Sequence, residues 1–110
     1  MPLSSRARIE IYLPDEPKPA FRKLRKAIES EFLSTFGGCT VIKNIKGLYL
    51  SADAGKDTDK IILLYTDTSF DFRKNRAALS KYTDELRDVA FQTTSEESIL
   101  IVVHEIYHSI

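Results

Sequence analysis

Ser98-Ile-Leu-Ile-Val-Val-His-Glu-Ile-Tyr-His108 reads as a β-strand that is apolar on both faces. Side chains alternate along a strand, so Ile99, Ile101 and Val103 form one set and Leu100, Val102 and Ile106 the other. A strand wetted on one side needs only one such set. Two sets imply that something covers the second face. The pattern therefore predicts a partner and leaves the chemistry open.

Working back from this strand, Lys60-Ile-Ile-Leu-Leu-Tyr-Thr66 is a continuous apolar run, expected to be a central strand. Arg8-Ile-Glu-Ile-Tyr-Leu13 alternates strictly and reads as a half-buried strand. Between them, Phe21, Leu24, Ile28, Phe32 and Phe36 recur at helical spacing, with Pro19 in the first turn and Gly37-Gly38 as the stop. Cys39-Thr-Val-Ile-Lys43 and Gly47-Leu-Tyr-Leu-Ser51 read as one strand broken by a bulge or bend, or as two short strands. Ala52 to Asp59 reads as a polar loop. After a turn over Asp67 to Asp71, a second helix carries Leu79, Tyr82, Leu86, Val89 and Ala90 as its stripe.

The order is βαββαβ in one domain spanning residues 1–110. The expected class is α+β, a ferredoxin-like sandwich with two helices on one face of an antiparallel sheet of order 4-1-3-2. The two helices then lie antiparallel. Both begin basic (Arg22, Lys23, Arg25, Lys26; Arg73, Lys74, Arg76) and end acidic (Glu29, Glu31; Asp84, Glu85, Asp88), against their own dipoles. Side by side and antiparallel, each basic start meets the other's acidic end. Such exposed pairs contribute about 0–1 kcal/mol each, so the pattern speaks to orientation and little to stability.

Composition narrows the function classes. The chain has 110 residues with 16 basic and 16 acidic side chains, hence no net charge. A nucleic-acid-binding domain shows a basic excess, which is absent. Ile11-Tyr12-Leu13-Pro14-Asp15 loosely resembles the first-strand motif of RNA-recognition domains. The central strand lacks the stacking aromatics that would complete it, so no nucleic acid is expected. No signal peptide and no membrane-length apolar run is visible. Cys39 is the single cysteine. These features point to a cytoplasmic protein of bacterial type.

No cofactor and no catalytic residue is implied. His104 and His108 would lie about 13 Å apart along a strand, too far for one ion with zinc–nitrogen bonds of about 2.0–2.1 Å. His104 is expected to be half-buried and satisfied by a neighbour. Asp53, Asp57 and Asp59 do not match a calcium-loop spacing. The basic run Arg22 to Lys26 reads as a solvated helix face, and Cys39 as a small buried residue.

Phe36-Gly-Gly-Cys-Thr-Val41, Gly47-Leu-Tyr49, Lys60-Ile-Ile-Leu-Leu-Tyr65 and Glu97-Ser-Ile-Leu-Ile-Val-Val103 together resemble small uncharacterised bacterial families of ferredoxin-like proteins. The resemblance implies the same fold. Those families have no established activity, so it implies no site residue.

Two kinds of function remain. The first is a homodimeric binding or regulatory protein. Setting Arg8 and Glu10 beside Glu105 places Ile99, Ile101, Val103 and Glu105 on the open sheet face as interface candidates; a slip of one residue reverses that assignment. The second is a dimeric α+β-barrel enzyme or small-ligand binder, with Tyr12, Tyr65, Asp67 and His104 lining a pocket between sheet and helices. A further alternative is an accessory protein that docks another chain on the sheet face.

Overall fold

A computed structural model describes residues 3–51, 55–96 and 99–108. Asp53 and the expected strand start at Ser98 lie outside them. The elements run β1 (Ser4–Pro14), α1 (Pro19–Phe36), β2 (Thr40–Ser51), β3 (Gly55–Asp67), α2 (Arg76–Thr94) and β4 (Leu100–His108). The sheet is antiparallel with order β2-β3-β1-β4, as the sequence predicts.

Local chemistry accounts for the boundaries. Pro19 opens α1, and Gly37 ends it at φ 81°, its N–H donating to the Leu33 carbonyl. Phe21, Leu24, Ile28 and Phe32 are the buried residues of α1. On α2 these are Leu79, Leu86 and Ala90; Tyr82 is half-buried and Val89, expected in the stripe, is exposed. The turn before α2 is held by Asp71 Oδ1, which accepts the N–H groups of Arg73 and Lys74, while Asn75 Oδ1 accepts that of Asp71. The Lys74 and Arg73 N–H bonds keep the Asp71 carboxyl below its usual range.

The core lies between the helices and one sheet face. Ala7, Ile9, Ile11 and Leu13 of β1 and Ile62 and Leu64 of β3 meet α1 and α2 there. The Phe36 ring joins the end of α1 to the rest, packing on Phe32, Phe70 and Tyr82. Thr68 is fully buried; its hydroxyl donates to the Ala7 carbonyl and accepts the Phe70 N–H, tying the exit of β3 to β1. The helices are antiparallel, with the Tyr82 hydroxyl of α2 donating to Glu31 of α1 at 2.8 Å. Burial, and then this carboxylate, push the Tyr82 phenol well up. The expected charge pairing across the helices is not formed among the described residues. The helical ion pairs Arg25–Glu29 and Arg87–Asp84 each stay within one helix.

The β2 segments are one strand interrupted between Ile42 and Ile45, the first of the two expected readings, and Asn44 takes φ 63° there. Two further expectations change. Gly55–Asp59, expected as loop, is strand paired with β2, through Gly47↔Asp59 and Tyr49↔Asp57. Gly55 to Asp59 carry no apolar alternation, so the stretch reads like a loop in the sequence. Second, β4 faces the other way. The register pairs Ile9↔Val103 and Ile11↔Ile101, and Arg8↔His104 and Glu10↔Val102. Ile99, Ile101 and Val103 therefore turn toward the helices: Ile99 joins the core and the other two pack on it. Glu105, opposite Ala7, is on that side too. The exposed-face set is Leu100, Val102, His104 and Ile106. The one-residue offset is the physical reason.

Among the described residues, no helix is long and apolar enough to cross a membrane.

Candidate functional site

The open face is organised in rows that cross the strands, because directly opposed residues of antiparallel strands point to the same side. One row is Ile42, Leu63, Tyr12 and Leu100, reaching over all four strands. Leu63 is 9% exposed although it lies outside the helix-side core, with Ile42 and Tyr12 opposite it on the flanking strands. Ile42 and Leu100, at the two ends of the row, are 42% and 55% exposed.

The rows beside it are polar. Tyr65, Glu10 and Val102 are aligned, and then Asp67, Arg8 and His104. Glu10 is the centre of this cluster. Its Oε1 accepts from the Tyr12 hydroxyl at 3.0 Å and lies 2.7 Å from His104 Nε2. Its side chain is only 12% exposed, whereas that of His104 is 48% exposed. A carboxylate so covered requires donors, and the neighbouring strand and its own strand each supply one. Burial, followed by the Glu10 hydrogen bond, raises the Tyr12 phenol above its usual range.

Arg8 and Asp67 form the second pair. The guanidinium grips the carboxylate with two bonds, Nε–Oδ1 at 2.6 Å and Nη2–Oδ2 at 3.0 Å, and stacks 4.2 Å from the Tyr65 ring centroid. The hydrogen bond to Asp67 lifts the Arg8 pKa further above neutrality.

The structure thus brings Tyr12, Tyr65, Asp67 and His104 together. It sets them on the open face, away from the helices, so they line no pocket between sheet and helices; that space is filled by the core. The reason is parity: Tyr12 alternates with Ile11 and Leu13, and the other three follow it through the strand register. Arg8 and Glu10 belong to the same cluster and were not singled out from sequence as site residues. Their alternation with Ile9 and Ile11 was visible; that they engage Asp67 and His104 required the register.

Glu105, expected on the open face, sits at the helix-side margin. It accepts from Ser5 Oγ at 2.8 Å and pairs with Arg73, and the Ser5 bond keeps its carboxyl below the ordinary range. Cys39 is half-buried against the core, and burial raises its thiol pKa. Among the described residues, no cluster of three or more His, Cys, Asp or Glu side chains is placed to hold a metal ion.

Solved structures share this fold. CutA1 from Oryza sativa superposes with a TM-score of 0.61 at 17% identity, over 98% of this chain and 85% of that one. The divalent cation tolerance protein (Cut A1) from Thermus thermophilus gives 0.57 at 17%, over 93% and 84%. CPII, a nitrogen regulatory PII-like protein from Thiomonas intermedia bound to ADP, AMP and bicarbonate, gives 0.54 at 17%, over 99% and 98%. At these identities the likeness is one of fold. No family model and no curated protein matches the sequence. The class that fold and site define is a small ferredoxin-like α+β protein with a half-apolar, internally paired open sheet face.

Proposed function

We propose that this is a one-domain cytoplasmic protein that binds or regulates rather than catalyses, and that it works as a homodimer joined through the open sheet face. The observation that carries the reading is the apolar row Ile42–Leu63–Tyr12–Leu100 on the side that no helix covers. An exposed branched side chain forgoes about 1.5–3 kcal/mol relative to full burial, and a partner sheet recovers it.

The charges beside the row support the same reading. Burying an unpaired charge is costly. Here Arg8 is already paired with Asp67, and Glu10 with His104 and Tyr12, so covering the face strands none of them. A chain without net charge also meets little long-range repulsion from its own copy. The fold neighbours include a nitrogen regulatory PII-like protein and a divalent cation tolerance protein, descriptions compatible with a binding or regulatory role here.

Sedimentation velocity tests this. The wild-type chain is expected to sediment as an oligomer of the 12.5 kDa protomer, and Leu100→Asp to halve the sedimenting mass at equal concentration with an unchanged fold. A wild type that stays at the protomer mass, or a Leu100→Asp variant that sediments like it, removes the reading. Stoichiometric capture of a different chain on this face would replace self-association by the accessory role.

A further inference from the structure

On the helix side of the sheet, a cavity of about 400 Å³ opens between the β1–α1 connection, the first turns of α1 and the middle of β3. Sites for small molecules run to roughly 300–1,000 Å³. Its floor is apolar: Leu13, Phe21 and Ile62 line it, and each is buried. Pro14 and Pro17 belong to its wall, and Pro19 follows at the start of α1. Three prolines so close together fix much of the connection's backbone. The Asp15 N–H also donates to the Lys60 carbonyl at 2.8 Å. The wall is therefore set before any ligand arrives, which lowers the ordering cost of binding.

Cations gather at this cavity in a chain that has no net charge. Arg22 and Arg25, three residues apart on α1, share a helix face, and Lys60 adds a third cation from β3. Among the described residues, Arg22 and Lys60 have no ion pair. Arg25 is incompletely satisfied: its Nε lies 3.5 Å from Glu29 Oε1, yet is buried without a hydrogen bond. The register also sets Lys46 of β2 directly opposite Lys60, and like charges so placed destabilise a sheet. An anion in the cavity offsets that repulsion and supplies acceptors to all three lining cations. The acids are disposed differently. Glu16 pairs with Lys18 at 3.2 Å, and Glu29 with Arg25. Asp15 lines the cavity and has no ion pair among the described residues. A carboxylate there repels an anion but accepts from a hydroxyl.

We propose that this cavity binds a hydroxylated phosphomonoester of the sugar-phosphate class. Arg22, Arg25 and Lys60 take the phosphate; the guanidinium forks suit its oxygens in pairs, and Lys60 adds a point charge. Asp15 accepts a hydroxyl of the body, whose carbon face lies toward Leu13, Phe21 and Ile62. A bare anion would leave Asp15 opposing it, and a neutral sugar would leave the cations unused. The site lies on the helix side of the sheet and is independent of the open-face contact.

The test is an amide chemical-shift titration of the full-length protein with glucose 6-phosphate, inorganic phosphate and glucose. Glucose 6-phosphate is expected to bind with a Kd of about 1 mM or tighter, and inorganic phosphate about tenfold more weakly. Glucose is expected not to saturate. The shifts should centre on Asp15, Arg22, Arg25 and Lys60. Arg22→Gln and Lys60→Gln are each expected to weaken both phosphates about tenfold. Asp15→Asn should weaken glucose 6-phosphate and tighten inorganic phosphate, a reversal that a merely attractive surface does not give. Lys23→Gln, on α1 but outside the cavity, should leave both nearly unchanged. Arg22, Lys60, Asp15 and Lys23 are exposed, so these variants should fold, and circular dichroism melting checks that they do. The proposal is overturned by the absence of saturable shifts with glucose 6-phosphate, or by equal affinities for the two phosphates. Arg22→Gln and Lys60→Gln variants that bind like the wild type overturn it as well. So does a Lys23→Gln variant as weak as Arg22→Gln, because the attraction would then be general surface charge.

Discussion

The helix side and the open side of the sheet are built from the same strands and treated differently. On the helix side, Ala7, Ile9, Ile11 and Leu64 have no exposed surface. On the open side, Ile42 and Leu100 are about half exposed while Leu63 between them is covered, and Glu10, Arg8, Asp67 and His104 are engaged with one another. One face is closed by the chain's own helices. The other is prepared for closing, with its polar groups satisfied in advance. The difference separates residues that hold the fold from residues available to a partner.

That separation can be broken experimentally, beginning where the effect is largest. Phe32→Ala removes a fully buried ring from the helix side and should cost about 3–5 kcal/mol in urea unfolding. A loss below 1 kcal/mol would mean that the helix-side core is not closed as described. Glu10→Ala removes the acceptor shared by Tyr12 and His104. The expected loss is about 1–3 kcal/mol, the typical cost of leaving covered polar groups unsatisfied. Glu10→Gln should recover part of it; equal losses for both would mean that the carboxylate's charge, rather than its position as acceptor, matters.

Tyr82 sharpens the comparison through pH. The folded state holds its phenol well above the ordinary value of about 10, chiefly by burial and then by the Glu31 carboxylate. The neutral phenol is the form the fold favours. Its contribution is therefore complete below about pH 10 and is lost as pH rises toward the folded-state value. Tyr82→Phe should flatten the alkaline decline of stability, keeping the part due to Tyr12, and should cost about 0.5–1.5 kcal/mol near neutrality for the lost hydrogen bond. An unaltered alkaline slope would show that Tyr82 is not the titrating group.

The smallest change in stability belongs to the open face. Leu100→Asp should move the unfolding free energy of the protomer by no more than about 0.5 kcal/mol, because the side chain is already more than half exposed. Its effect belongs in the sedimenting mass. A large drop in protomer stability would mean that Leu100 serves the core.

Much of this arrangement was legible in the residues. The spacing of Phe21, Leu24, Ile28 and Phe32 and the alternation of Ile9, Ile11 and Leu13 report local periods, and a local period is readable along a chain. The element order then restricts the topology through the short list of permitted connections. The first half of β3 was not legible, because Gly55 to Asp59 carry no apolar period. The cluster around Glu10 was half legible. Tyr12, Tyr65, Asp67 and His104 stood out by type, but they lie on three strands, and only pairing makes them neighbours.

Sequence alone determined the six elements, their order, the sheet order and the existence of a second apolar set on β4. Tertiary structure decided which set that is. Along a strand the two faces are equivalent until a neighbour is placed beside it, and a shift of one residue exchanges them. The pairing of Ile9 with Val103, and of Arg8 with His104, turned Ile99, Ile101 and Val103 inward and left Leu100, Val102 and Ile106 for the open side.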